Sequence, residues 1–125
     1  MQLSYRALDY LRQCLSSVGW NKSDSTDIKH QRFYISAKML VETLPETPPA
    51  PLMPSEQVLR TDPVLAREKL RAVEEFYKGV SSEFTLSDKE FETTQACLHH
   101  FVNEDGMPKG RAAIELYETF KLAPK

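Results

Sequence analysis

Leu3, Ala7, Leu8, Leu11, Cys14, Leu15 and Val18 recur at spacings of three and four, which marks one buried stripe of an amphipathic helix. Gly19 follows and reads as its stop, because glycine enters the left-handed C-cap conformation without a Cβ penalty. The polar run 21–27, rich in Asn, Ser and Asp, reads as a turn.

Segment 28–44 carries two patterns. Phe33, Ala37, Leu40 and Leu44 fall on one helical face, and Ile28, Arg32, Ile35 and Met39 continue the helical spacing. Phe33, Ile35, Ala37, Met39 and Val41 also alternate as a strand does. Length and the content of Ala, Lys, Met, Leu and Glu favour the helix. A lone strand would have no neighbour for its edges. The strand stands as the competing pattern.

Pro45, Pro48, Pro51 and Pro54 recur every third residue and share one ridge of a polyproline II helix. Ten residues of that conformation reach about 31 Å, against about 24 Å for a 16-residue helix. A strap of this length can run the full height of a bundle, so the helices it joins need not be antiparallel. Residues 55–60 suit a short helical turn.

The C-terminal half has better punctuation. Asp62 and Pro63 open a helix, one as cap and the other at the first helical position. Its inward residues are Ala66, Leu70, Val73, Phe76, Tyr77 and Val80, with Arg71/Glu75 and Glu74/Lys78 paired outside and Gly79 at its end. Ser87 and Glu90 form a capping box, and Leu86 and Phe91 a hydrophobic staple, for a helix with Phe91, Leu98, Phe101 and Val102 inward. Asn103 to Gly106 reads as its end. A last helix over 108–122 turns Ala113, Leu116, Tyr117 and Phe120 inward. Short loops predict that these three helices are antiparallel neighbours.

The expected fold is all-α: a small helical bundle of four to five helices with a long proline-rich crossover connection. It is read as one domain over 1–125, made of a helical pair 1–44, the connection 45–61 and a three-helix part 62–122.

Composition narrows the function classes. The 125 residues are 41% apolar and 27% charged, as in ordinary globular chains. A net charge of -2 leaves no basic footprint over the whole chain for nucleic acid. Cys14 and Cys97 sit on helical patterns beside apolar residues and read as buried thiols of a reducing, cytoplasmic compartment. Arg6, Asp9 and Arg12 interrupt any leader-like apolar run, and no stretch approaches a membrane span. Charge is uneven: 1–44 is richer in Lys and Arg, 81–106 in Asp and Glu. The two stretches suit one another within the fold or across a dimer, or stand as two solvated faces.

No chemistry-bearing motif is complete. Cys97, His99 and His100 lack further ligands at metal-binding spacing. Asn103-Glu104-Asp105-Gly106 is similar to part of a calcium loop, but Phe101 stands where the first ligand belongs. There is no nucleophile elbow and no glycine-rich phosphate loop. The overlapping P-x-x-P units are flanked by Glu42, Glu46 and Glu56, where an SH3 ligand wants a basic residue. The reading is a non-enzyme with no metal, cofactor or catalytic residue.

Binding remains. The first reading is a protein-protein interaction module, a regulator, adaptor or assembly subunit, whose partner is another protein or a second copy. Its candidate contacts are Trp20, Phe33, Tyr34, Glu90 and Glu92. The alternative is a nucleic-acid-binding regulator using Lys29, Arg32, Lys109 and Arg111. Residues 29–34 interleave cations and rings. Pro108-Lys109-Gly110-Arg111 is similar to the core of a minor-groove AT-hook, with Ala112 where a second proline belongs.

Overall fold

The computed structural model describes residues 1–22 and 26–122, and the side chains of all of these except 19–22. The described residues are all-helical, in six helices and no strand: α1 (Tyr5–Lys22), α2 (Ile28–Thr43), α3 (Glu56–Thr61), α4 (Pro63–Tyr77), α5 (Asp88–Leu98) and α6 (Arg111–Thr119).

The central helix is α1, which packs against α2, α5 and α6. All seven residues of its sequence stripe are buried and join Ala37, Leu40, Leu44, Cys97, Leu98, Leu116, Tyr117 and Phe120 in one core. Leu3 belongs to that core from outside the helix. The helix begins only after Ser4, whose Oγ accepts from Ala7 N at 3.2 Å and whose carbonyl accepts from Leu8 N. Residues before it run extended beside 79–84: Tyr5 N donates to Gly79 O, Ser81 N to Leu3 O, and Leu3 N to Ser81 Oγ at 3.1 Å. At its other end α1 passes through Gly19 to Lys22. Glycine inside a helix costs only about 1 kcal/mol against alanine, so it does not stop one by itself.

Segment 28–44 is helical. Asp27 caps it by accepting from Lys29 N, and its buried residues are Ala37 and Leu40. A strand in this position would leave its backbone groups without partners in an all-helical fold. Residues 45–55 contain no helix beyond the end of α2. The Arg12 guanidinium ties this strap to α1, donating to Pro45 O and, at 3.1 Å, to Thr47 Oγ1. Pro48, Pro49 and Ala50 then border a cleft with Tyr5, Asp9, Phe76 and Tyr77. Ser55 and Asp62 cap α3 and α4 through their side chains.

Three sequence expectations change here. First, α4 makes its main contacts with α3 and α1 rather than with α5. The chain after α4 is drawn along residues 1–5 by the hydrogen bonds above, which separates α4 from α5. Of its expected inward residues only Ala66 is buried, and Val80 lies outside the helix and exposed. Lys78 pairs with Glu75 at 3.3 Å, not with Glu74. Second, α5 stops at Leu98, and Phe101 and Val102 lie beyond it, half-buried. Third, 103–107 is a closed turn rather than a helix end: Asn103 Oδ1 accepts from Asp105 N and Met107 N at 3.0 and 2.8 Å. The last helix is correspondingly shorter, opening after Gly110 at φ +90°, a conformation that favours glycine.

The ends of α5 and α6 cap each other. Gln95 Nε2 donates to Phe120 O at 2.9 Å, and Tyr117 Oη donates to Leu98 O at 3.2 Å. Each helix thereby satisfies a C-terminal carbonyl of the other. Phe91 and Phe120 pack with ring centroids 5.1 Å apart over the same contact.

Candidate functional site

An open groove runs between α2 and α5. Its lower section is lined by Met39, Leu40 and Thr43 of α2 and by Ser87, Lys89 and Glu90 at the start of α5. Its upper section is lined by Lys29, Arg32 and Phe33 of α2 and by Glu92 and Ala96 of α5. Ser36, Lys89 and Thr93 border both sections. The two sections hold about 210 and 350 Å³ and are open to solvent. Small-molecule sites are usually enclosed clefts of about 300–1,000 Å³, so an open trough of this kind suits a chain segment better.

Local sequence explains the walls. The capping box fixes the lower end: Ser87 N donates to Glu90 Oε1 at 2.9 Å and Glu90 N to Ser87 Oγ at 3.2 Å. The Ser87 backbone N–H, helped by its side chain and by Thr43, holds the Glu90 carboxyl below its ordinary value. Thr43 Oγ1 reaches Glu90 Oε2 at 3.5 Å and joins the two helices there. Thr94, fully buried, turns its hydroxyl back to Glu90 O. The groove mixes signs, with Lys29, Arg32 and Lys89 beside Glu90 and Glu92.

The two readings of the sequence therefore meet at one place. Phe33, Glu90 and Glu92, proposed as protein contacts, line the same groove as Lys29 and Arg32, proposed as nucleic-acid contacts. Tyr34 is half-buried on another side of α2 and lines neither section. Lys109 and Arg111 are exposed on either side of Gly110, where α6 begins, and α6 packs on α1 and makes no comparable contact with α2. The Trp20 side chain lies outside the described residues.

The feature that the sequence pattern contained but did not rank is the outer face of α2. Ile28, Ile35 and Met39 are 63%, 54% and 61% exposed. At about 100° per residue they fall opposite Ala37 and Leu44, the inner face. Apolar residues thus occupy two opposed sides of one helix. The signal was the pair of interleaved helical stripes, which also produced the false strand alternation.

Cys14 and Cys97 are buried free thiols. Burial pushes Cys14 up to about 11, partly offset by its hydrogen bond with Tyr10, and Cys97 up to about 12, aided by Cys14. Burial likewise raises Tyr10 to about 12. Among the described residues no group of three His, Cys, Asp or Glu side chains is placed to hold a metal ion. No helix among them is long and apolar enough to cross a membrane. Neither family models, curated proteins nor solved structures yield a match to this chain.

Proposed function

We propose that this protein is a non-enzymatic protein-interaction module, and that its contact surface is the outer face of α2 with the adjoining α2–α5 groove. The observation that carries the reading is the exposure of Ile28, Ile35 and Met39 opposite the buried face. A helix with apolar residues on two opposed sides ordinarily buries both of them. The mixed charges along the groove support a protein partner over nucleic acid. Glu90 and Glu92 would repel the phosphates that Lys29 and Arg32 attract. Two buried, unpaired thiols suit a reducing intracellular compartment.

The test is capture by the purified full chain from its native lysate, compared with Ile35→Glu and with a Lys29→Ala/Arg32→Ala variant, alongside binding to duplex and single-stranded oligonucleotides. Proteins held by the wild type and released by Ile35→Glu are expected. Identical capture by wild type and Ile35→Glu ends the reading. Oligonucleotide affinity that falls steeply with salt and vanishes in the Lys29/Arg32 variant replaces it with the nucleic-acid one.

A further inference from the structure

We propose that the occupant of α2's outer face is a second copy of the same helix, docked antiparallel about a twofold axis level with residue 37. This rests on the reading of that face as a contact surface and names its partner.

Ile28, Arg32, Ile35, Met39 and Glu42 follow one another at intervals of 4, 3, 4 and 3, and all five are exposed. That spacing is the seam along which two helices pack. A twofold contact needs a self-complementary surface, and this stripe is one. When Ile35 meets Met39 of the second copy, Arg32 meets Glu42 of the second copy, because both pairs are centred on position 37. Symmetry repeats each contact, so two Ile–Met layers are flanked by two Arg–Glu pairs. Neither Arg32 nor Glu42 has an ion-pair partner among the described residues of its own chain.

Other arrangements are worse on charge. A parallel mate sets Arg32 on Arg32 and Glu42 on Glu42. Sliding the antiparallel mate toward the N-terminus by one heptad sets Arg32 on Ile35 and leaves Glu42 unmatched. In the favoured register Lys38 of each copy lies beside the axis and is the one like-charge approach. Glu42 stands one turn further along the same helix.

The contact is small. A 16-residue helix is about 24 Å long and covers well under the ~800 Å² per partner of a standard interface. Self-association is therefore weak, with a dissociation constant between about 10 μM and 1 mM.

The experiment is sedimentation equilibrium of the full chain up to about 1 mM, with circular dichroism to check that each variant is folded. A monomer–dimer equilibrium is expected for the wild type, and its loss in Met39→Glu. Arg32→Glu and Glu42→Arg should each weaken it roughly tenfold or more, and the double reversal should restore it. Failure of the double reversal to restore a dimer lost in each single variant overturns the register. So does a dimer lost in Val64→Glu, a change at an exposed apolar residue of α4, but kept in Met39→Glu. A wild type that stays monomeric throughout overturns self-pairing. The face itself then stands only if Met39→Glu still releases a captured foreign protein, and falls with the proposal if it does not.

Discussion

Ser4 and Glu115, 111 residues apart, are held together by two hydrogen bonds: Ser4 N donates to Glu115 Oε2 at 2.9 Å and Ser4 Oγ to Oε1 at 2.7 Å. A carboxylate on α6 thereby satisfies the cap residue of α1 and sits at the positive end of that helix. Glu115→Ala is expected to cost about 1–3 kcal/mol, and Glu115→Gln less, because the amide oxygen still accepts. Urea unfolding midpoints of the three chains measure the order.

Gly79 is required for space. A Cβ there would overlap the Tyr5 ring and lie 3.1 Å from Phe76 O, and Tyr5 is itself stacked on Phe76 at 5.2 Å. Gly79→Ala should destabilise by about 1–3 kcal/mol. Replacing Tyr5 by Leu in the same chain should recover part of that loss, and thermal unfolding of the double-mutant cycle reads the coupling.

Arg12 is the tie between the strap and α1. In Arg12→Met the hydrogen bonds to Pro45 O and Thr47 are gone while much of the apolar stem remains. Cleavage at Glu46 by a Glu-specific protease should accelerate, with helicity unchanged. Equal cleavage rates in both chains would remove Arg12 from that role.

The Ser87–Glu90 box makes the fold sensitive to acid. Glu90 lies below its ordinary value of 4.5 in the folded chain. Its contribution is present above that value and is lost as pH falls through the folded one. Glu90→Gln should flatten this part of the stability profile between neutral pH and pH 3, and Ser87→Ala should cost about 1 kcal/mol at pH 7.

The buried thiols act at the other end of the scale. Cys14, Cys97 and Tyr10 are raised from 9.0, 9.0 and 10.0 to about 11, 12 and 12. Unfolding releases protons from these groups above their ordinary values, so stability is full below pH 9.0 and declines as pH rises toward 12. At pH 8 both cysteines should resist a thiol reagent until urea unfolds the chain. Fast labelling of Cys97 in the native protein would contradict its burial.

The helices were legible because their signals are short-ranged. The stripe of α1, the Asp62-Pro63 opening and the Ser87–Glu90 box each lie within a few residues of the backbone groups they act on. Of the candidate groove, the residue types were legible and their convergence was not. Phe33 and Glu92 lie 59 residues apart in sequence, and only packing of α2 on α5 brings them to one trough. The charge pattern allowed basic and acidic stretches to meet, without a register to say which residues would.

By itself, then, the sequence determined an all-helical chain, the Asp62 and Ser87 caps and most of its core, because periodicity and capping depend on neighbours three and four residues away. Only the tertiary structure decided the rest. It moved α4 away from α5 because residues 79–84 pair with the extended start of the chain. It joined α5 to α6 through Gln95 and Tyr117, whose partners lie 25 and 19 residues away. It also decided which of α2's two apolar faces is buried. Either stripe satisfies the helical period equally well, and the choice belongs to the helices that pack against it.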